Sequence, residues 1–118
     1  MLSQEKLPAS IAVTETRARD ATARGAPAFA RLLGLAEQRD SSQVARVASF
    51  IAGAYNDDAF PFDLFELRAV DTDFADDMLA CVDALRWARA DLHRLVGDGD
   101  ARMKAVIERW GLRWPRDA

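Results

Sequence analysis

The run from Asp71 to Ala90, DTDFADDMLACVDALRWARA, restricts the possible folds of this chain more than any other stretch. It contains neither Gly nor Pro, and it opens on Asp71, a good N-cap residue. At about 100° per residue, Phe74, Ala75, Met78, Leu79, Val82 and Leu85 fall on one side, with Asp73, Asp76 and Asp83 on the other. One face therefore seeks a core and the other seeks water. Asp71, Asp73, Asp76 and Asp77 crowd the N-terminal end, and Arg86 and Arg89 sit near the C-terminal end. That polarity suits the helix dipole, at about 0.3–1 kcal/mol for each well-placed charge. The pattern predicts a long central helix near 71–90.

The flanks read as shorter helices. Pro27 has the place of a first-turn proline, and Phe29, Leu32, Leu33 and Ala36 follow at helical spacing, predicting a helix over 26–38. Ser41 or Ser42 can cap a second helix over 43–55, whose inner stripe is Val44, Val47, Ala48, Ile51 and Tyr55. Ala45, Ala48, Ala52, Gly53 and Ala54 keep that helix thin, and the short link at Asp40 makes the pair an antiparallel hairpin. NDDAFPF at 56–62 is a loop that Phe60 and Phe62 can pin to the core. Asp63 and Glu66 have capping-box spacing before a short helix over 64–69. Gly97-Asp98-Gly99 breaks the chain after residues 91–96. Asp100 then caps a last helix over 101–110, which Gly111 and Pro115 stop. No strand pattern or internal repeat is present. The expectation is an all-α, compact single-domain bundle of about five helices over 26–118, preceded by a mobile or loosely packed arm at 1–25 that ends at Gly25.

A chain of 118 residues, half hydrophobic and 30% charged, has globular composition and single-domain length. Cys81 is the only cysteine, which rules out an intrachain disulfide and fits a reducing compartment. With neither a signal-like N-terminus nor a run long enough to span a bilayer, the expected location is cytoplasmic, without a membrane. The net charge of −3 is unevenly spread. Residues 57–77 hold eight acids (Asp57, Asp58, Asp63, Glu66, Asp71, Asp73, Asp76, Asp77) against Arg68 alone, a local balance of −7. Net acidity argues against direct nucleic-acid binding by the whole surface, whereas an acidic middle can face a basic partner.

FDLFELRAVDTDFADDMLACVDALRW, then ADLHRLV and VIERWGL, resembles an uncharacterised family of small bacterial proteins often carried on plasmids and integrated mobile elements. The resemblance covers Ala26 to Leu112 and implies a bacterial cytoplasmic setting and an accessory role. It supplies no catalytic residue and no cofactor.

Four groups of residues bear on chemistry. The acidic band with Trp87 is the expected interaction surface, through Asp57, Asp58, Asp73, Asp76, Asp83 and Trp87, towards a protein partner or a second copy; one version is an acidic decoy for a nucleic-acid-binding site. Trp87 lies opposite the predicted core stripe, where it can anchor a partner or be covered by the N-terminal arm or the Trp110–Trp114 tail. The alternative is a metal-dependent phosphohydrolase using Asp73, Asp76 and Asp77, with Glu37 and Asp40 at similar spacing, because hard cations take oxygen ligands from facing helices. A Cys81/His93 nucleophile pair competes with Cys81 as a small core residue. The tail from Arg109 to Arg116 alternates arginines with tryptophans, which suits either base stacking or folding back onto the domain. No cofactor is called for.

Overall fold

The computed structural model describes the backbone of residues 2–114, with side chains from residue 10 onward. Pro115 and Arg116 lie outside the described residues. Four α-helices form the domain: α1 (Leu2–Gln38), α2 (Ser42–Tyr55), α3 (Thr72–Trp87) and α4 (Gly99–Arg109). Two 3₁₀ segments, Leu64–Ala69 and Leu92–Leu95, complete it, and there is no strand among the described residues. The all-α bundle expected from periodicity is what forms.

α1 departs most from the expected boundaries. It runs unbroken through Gly25 and Pro27 instead of starting at residue 26. Pro27 costs the helix one N–H, but it lies on the exposed side, where water can satisfy the orphaned carbonyl one turn back. Gly25 is not punctuation. A Cβ there would stand 2.5 Å from Ala84 Cβ and 3.1 Å from the Ala80 carbonyl oxygen, so the glycine lets α1 and α3 cross at backbone distance. Ala18, Ala21, Gly25 and Ala28 are buried at steps of three or four, the period of a helix–helix seam. From Phe29 the buried side chains enlarge to Phe29, Leu32 and Leu33, where α1 also meets α2 and α4. Residues 10–17 of the same helix are exposed.

α3 packs antiparallel to α1. The pairs Arg31–Asp77 (2.8 Å), Arg24–Asp83 (3.4 Å) and Glu15–Arg89 (2.9 Å) mark the two directions. All three are solvent-exposed at one partner or both, so they set register more than they add stability. The buried residues of α3 are Met78, Cys81 and Ala84, not the stripe through Leu79 and Val82. Leu79 and Val82 remain 53% and 43% exposed. The apolar arc of α3 is wide, and α1 covers the edge that carries small side chains, where the backbones can approach.

The rest follows from caps and contacts. Ser41 Oγ accepts from the Val44 N–H at 3.1 Å and fixes the start of α2. After α2 the chain turns back along it: Phe62 meets Phe50 edge-to-face at 5.3 Å, Glu66 pairs with Arg46, and Gln43 accepts from the Asp71 N–H. Phe60 is buried, as the loop reading expects, and a Cβ on Gly53 would sit 2.8 Å from its carbonyl oxygen. Asp63 caps by accepting from the Phe65 N–H at 2.9 Å, so the capping box is only half made. Asp71 precedes α3 but makes no side-chain cap hydrogen bond. α4 starts at Gly99, directly after Asp98 in the left-handed region (φ 55°), and Asp100 belongs to the helix instead of capping it. Gly99 lies so close to the His93 carbonyl that a Cβ would meet it at 1.6 Å. At the end of α4, Arg109 donates to the carbonyls of Ala36 (3.0 Å) and Arg39 (3.2 Å), and Trp110 Nε1 donates to Ala36 (2.8 Å). These bonds satisfy carbonyls that the end of α1 leaves free.

Two glycines of α1 test this architecture against each other. Gly25→Ala gains helix propensity but overpacks the crossing, and unfolding in urea should show a loss of about 1–3 kcal/mol. Gly34 has nothing within 4 Å of its Cβ position, so Gly34→Ala should gain about 0.4–1 kcal/mol by the same measurement.

Candidate functional site

The N-terminal end of α3 faces the last turns of α1 across a cleft of about 700 Å³. Ala30, Gly34, Leu35 and Phe74 give it apolar walls, and Arg31, Arg39, Asp73, Asp76 and Asp77 bring charge to it. A second recess of about 470 Å³ shares Arg39 and Phe74 and reaches Asp71, Ser41 and Gln43. The position follows from local sequence: Gly34 leaves α1 without a side chain there, and the α3 dipole favours acids in its first turn.

The carboxylates of this end divide into two kinds. Asp77 accepts two hydrogen bonds from Arg31, at 2.8 and 3.0 Å. Its charge and hydrogen bonding hold the Arg31 guanidinium above its ordinary range. Asp71, Asp73 and Asp76 make no ion pair among the described residues, although Asp73 and Asp76 are exposed on the cleft. Arg39, at the junction of the two recesses, likewise has no ion-pair partner there.

The expected acidic band is not one surface. Asp57 and Asp58 follow the C-terminal end of α2, and Asp71 lies beside Gln43 at its N-terminal end. The length of α2, about 20 Å, separates them. Asp83 is taken up by Arg86 at 2.7 Å and Arg24 at 3.4 Å. Desolvation is the largest single influence and would raise its carboxyl, but the hydrogen bonds and charges of the two arginines together outweigh it and hold the carboxyl below the usual range. Trp87 is half-buried, with the guanidiniums of Arg17 (5.5 Å) and Arg86 (4.5 Å) over its ring. The N-terminal stretch of α1 thus covers it, one of the two outcomes its position allowed. Its Nε1–H is buried and has no hydrogen-bond acceptor among the described residues.

The metal alternative is not assembled. Asp77 is occupied by Arg31, Glu37 accepts from Arg102 at 2.6 and 2.8 Å, and Asp40 accepts from Arg109 at 2.8 Å. The Arg102 bonds hold the Glu37 carboxyl below its ordinary range. No group of three or more His, Cys, Asp or Glu side chains among the described residues converges as a metal site would require. The Cys81/His93 pair is not formed either. Cys81 is buried in the α1–α3 seam with its thiol 3.9 Å from the Gly25 carbonyl oxygen, and burial pushes its pKa up to about 12. A protonated, enclosed thiol is a packing group.

His93 belongs to a cluster that the sequence did not signal. Its ring stands edge-on to Tyr55 at 4.7 Å, and the Tyr55 hydroxyl donates to Asp100, which also pairs with Lys104 at 3.0 Å. Nothing local connects residues 55, 93 and 100; the return of α4 against α2 brings them together. The hydrogen bond to Asp100 pushes the Tyr55 pKa up to about 12, and the same bond, helped by Lys104, lowers that of Asp100.

Residues 26–111 match the model of a family of unknown function, DUF7673. Comparison with curated proteins and with solved structures finds no significant match.

Two titrations follow. Tyr55 is the single tyrosine, so absorbance near 295 nm (about the phenolate band) reads it alone. Its ionisation should be centred near pH 12 in the folded chain and near 10 in urea. The raised folded value means that this contribution to stability is complete below pH 10 and is lost towards 12, and Tyr55→Phe should abolish that part of the alkaline destabilisation. Cys81 should resist a thiol reagent in the native state and react at once in denaturant; rapid native labelling would contradict its burial.

Proposed function

Proceeding from a chain that belongs to the DUF7673 family, whose function is unknown, we propose that it is a non-enzymatic interaction domain. It engages a basic segment of a protein partner through the cleft between α1 and the N-terminal end of α3. The observation that carries this reading is the set of carboxylates Asp71, Asp73 and Asp76, which have no cation of the described chain while neighbouring Asp77, Glu37 and Asp40 each hold an arginine. Around them, Phe74, Leu35 and the bare backbone at Gly34 give an arginine or lysine stem an apolar surface to lie on. The setting is that of an accessory to bacterial mobile DNA, acting in the cytoplasm, as the resemblance implies. No helix among the described residues is long and apolar enough to cross a membrane.

Titration of a labelled oligo-arginine peptide tests the reading. Affinity should fall as salt rises, and Asp73→Asn with Asp76→Asn should weaken it about tenfold, equivalent to about 1.4 kcal/mol. Gly34→Leu should weaken binding by filling the cleft without touching any charge. Binding that ignores salt and all three substitutions would overturn the assignment.

A further inference from the structure

We infer that the outward face of α3 is a self-complementary surface on which a second copy of this chain docks antiparallel to the first. The helix turns Cys81 and Ala84 towards α1 and presents its opposite side to solvent. At about 100° per residue that outer side carries Thr72, Ala75, Asp76, Leu79, Val82, Asp83 and Arg86. Thr72, Asp76, Leu79, Val82 and Arg86 are exposed, and Leu79 and Val82 are among the large apolar side chains that the fold leaves uncovered.

The order of these residues along the helix selects the occupant. Asp76 lies one turn before Leu79, and Arg86 lies one turn after Val82. In an isologous pairing each residue meets its counterpart through a twofold axis. With that axis beside residue 81, Leu79 of one copy lies against Val82 of the other, and Asp76 of one copy lies opposite Arg86 of the other. The two helix dipoles are then antiparallel, and each apolar pair is flanked by an opposite-charge pair. A parallel pairing would instead set Asp76 against Asp76 and Arg86 against Arg86. α1 packs on the far side of α3, so it does not stand between the copies. Asp83 keeps its pairs with Arg24 and Arg86 within one chain at the rim. A helix of 16 residues is about 24 Å long, which offers less than the roughly 800 Å² per partner of a stable complex. The dimer is therefore reversible and concentration-dependent. This inference does not rest on the basic-partner reading: Asp76 also lines the cleft, but Leu79, Val82 and Arg86 lie outside it.

Sedimentation velocity of the full chain over a concentration series tests it, with circular dichroism as the check on folding. The wild type should pass from monomer to dimer, and Leu79→Ser should weaken dimerisation at least about tenfold. Asp76→Arg and Arg86→Asp should each be monomeric alone, and an equimolar mixture of the two should form a heterodimer, because one charge pair then keeps its native sign and the other is restored with its sign reversed. Asp73→Asn should leave the dimer intact, which separates this outcome from failure of peptide binding in the cleft. A wild type that stays monomeric throughout would overturn the inference. So would a dimer that tolerates both single reversals, or single variants that do not recombine on mixing.

Discussion

The fold depends on the approach of two helix backbones at Gly25. Only a hydrogen at that position lets α1 lie on Ala80 and Ala84 of α3, and the small residues on either side let the contact extend along the helices. Close approach gains dispersion contacts over the length of the seam, which few large side chains could supply in so narrow a domain. It also fixes which side of α3 is inside. Cys81 becomes a packing group because the seam closes over it, and Asp77 becomes Arg31's partner because the register puts them level.

The same crossing arranges the surface that α3 has left. With α1 on the small-residue edge, Leu79 and Val82 lie outside the core, although they belong to the same apolar arc. The acids of the first turn open onto a cleft where α1 has lost a side chain at Gly34. One contact thus leaves α3 with a charged cleft at one end and an apolar patch midway along it.

Charge pairing in this chain is a property of assembly. Arg102 and Arg109 of α4 reach Glu37 and Asp40 at the end of α1, and Arg46 of α2 reaches Glu66. Asp77, Glu37 and Asp40, three of the carboxylates of the metal reading, are for that reason occupied, whereas Asp73 and Asp76 are not. Among the described residues of the tail, Arg109 and Trp110 fold back, as one of its two readings allowed, onto the carbonyls that end α1. A free helix end attracts a guanidinium and an indole N–H through unsatisfied carbonyls, a demand that side-chain charge counts do not register.

The sequence by itself determined the helices. Periodicity, the Ser41 cap and the break at 97–99 depend on residues within one or two turns, so they can be read without knowing the neighbours. Asp73 and Asp76 at the head of α3 were legible for the same reason, through the helix dipole. What only the tertiary structure decided is how those helices face one another. Gly25 and Pro27 signal an interruption locally, yet packing along one side carries α1 through both. A wide apolar arc on α3 does not say which edge is buried, since that depends on which partner can come nearest. The separation of Asp57 and Asp58 from Asp73, the approach of Arg17 to Trp87 and the meeting of Tyr55 with His93 and Asp100 all depend on residues far apart in the chain. Such contacts form only when the seam has set the register, which is why no local pattern encodes them.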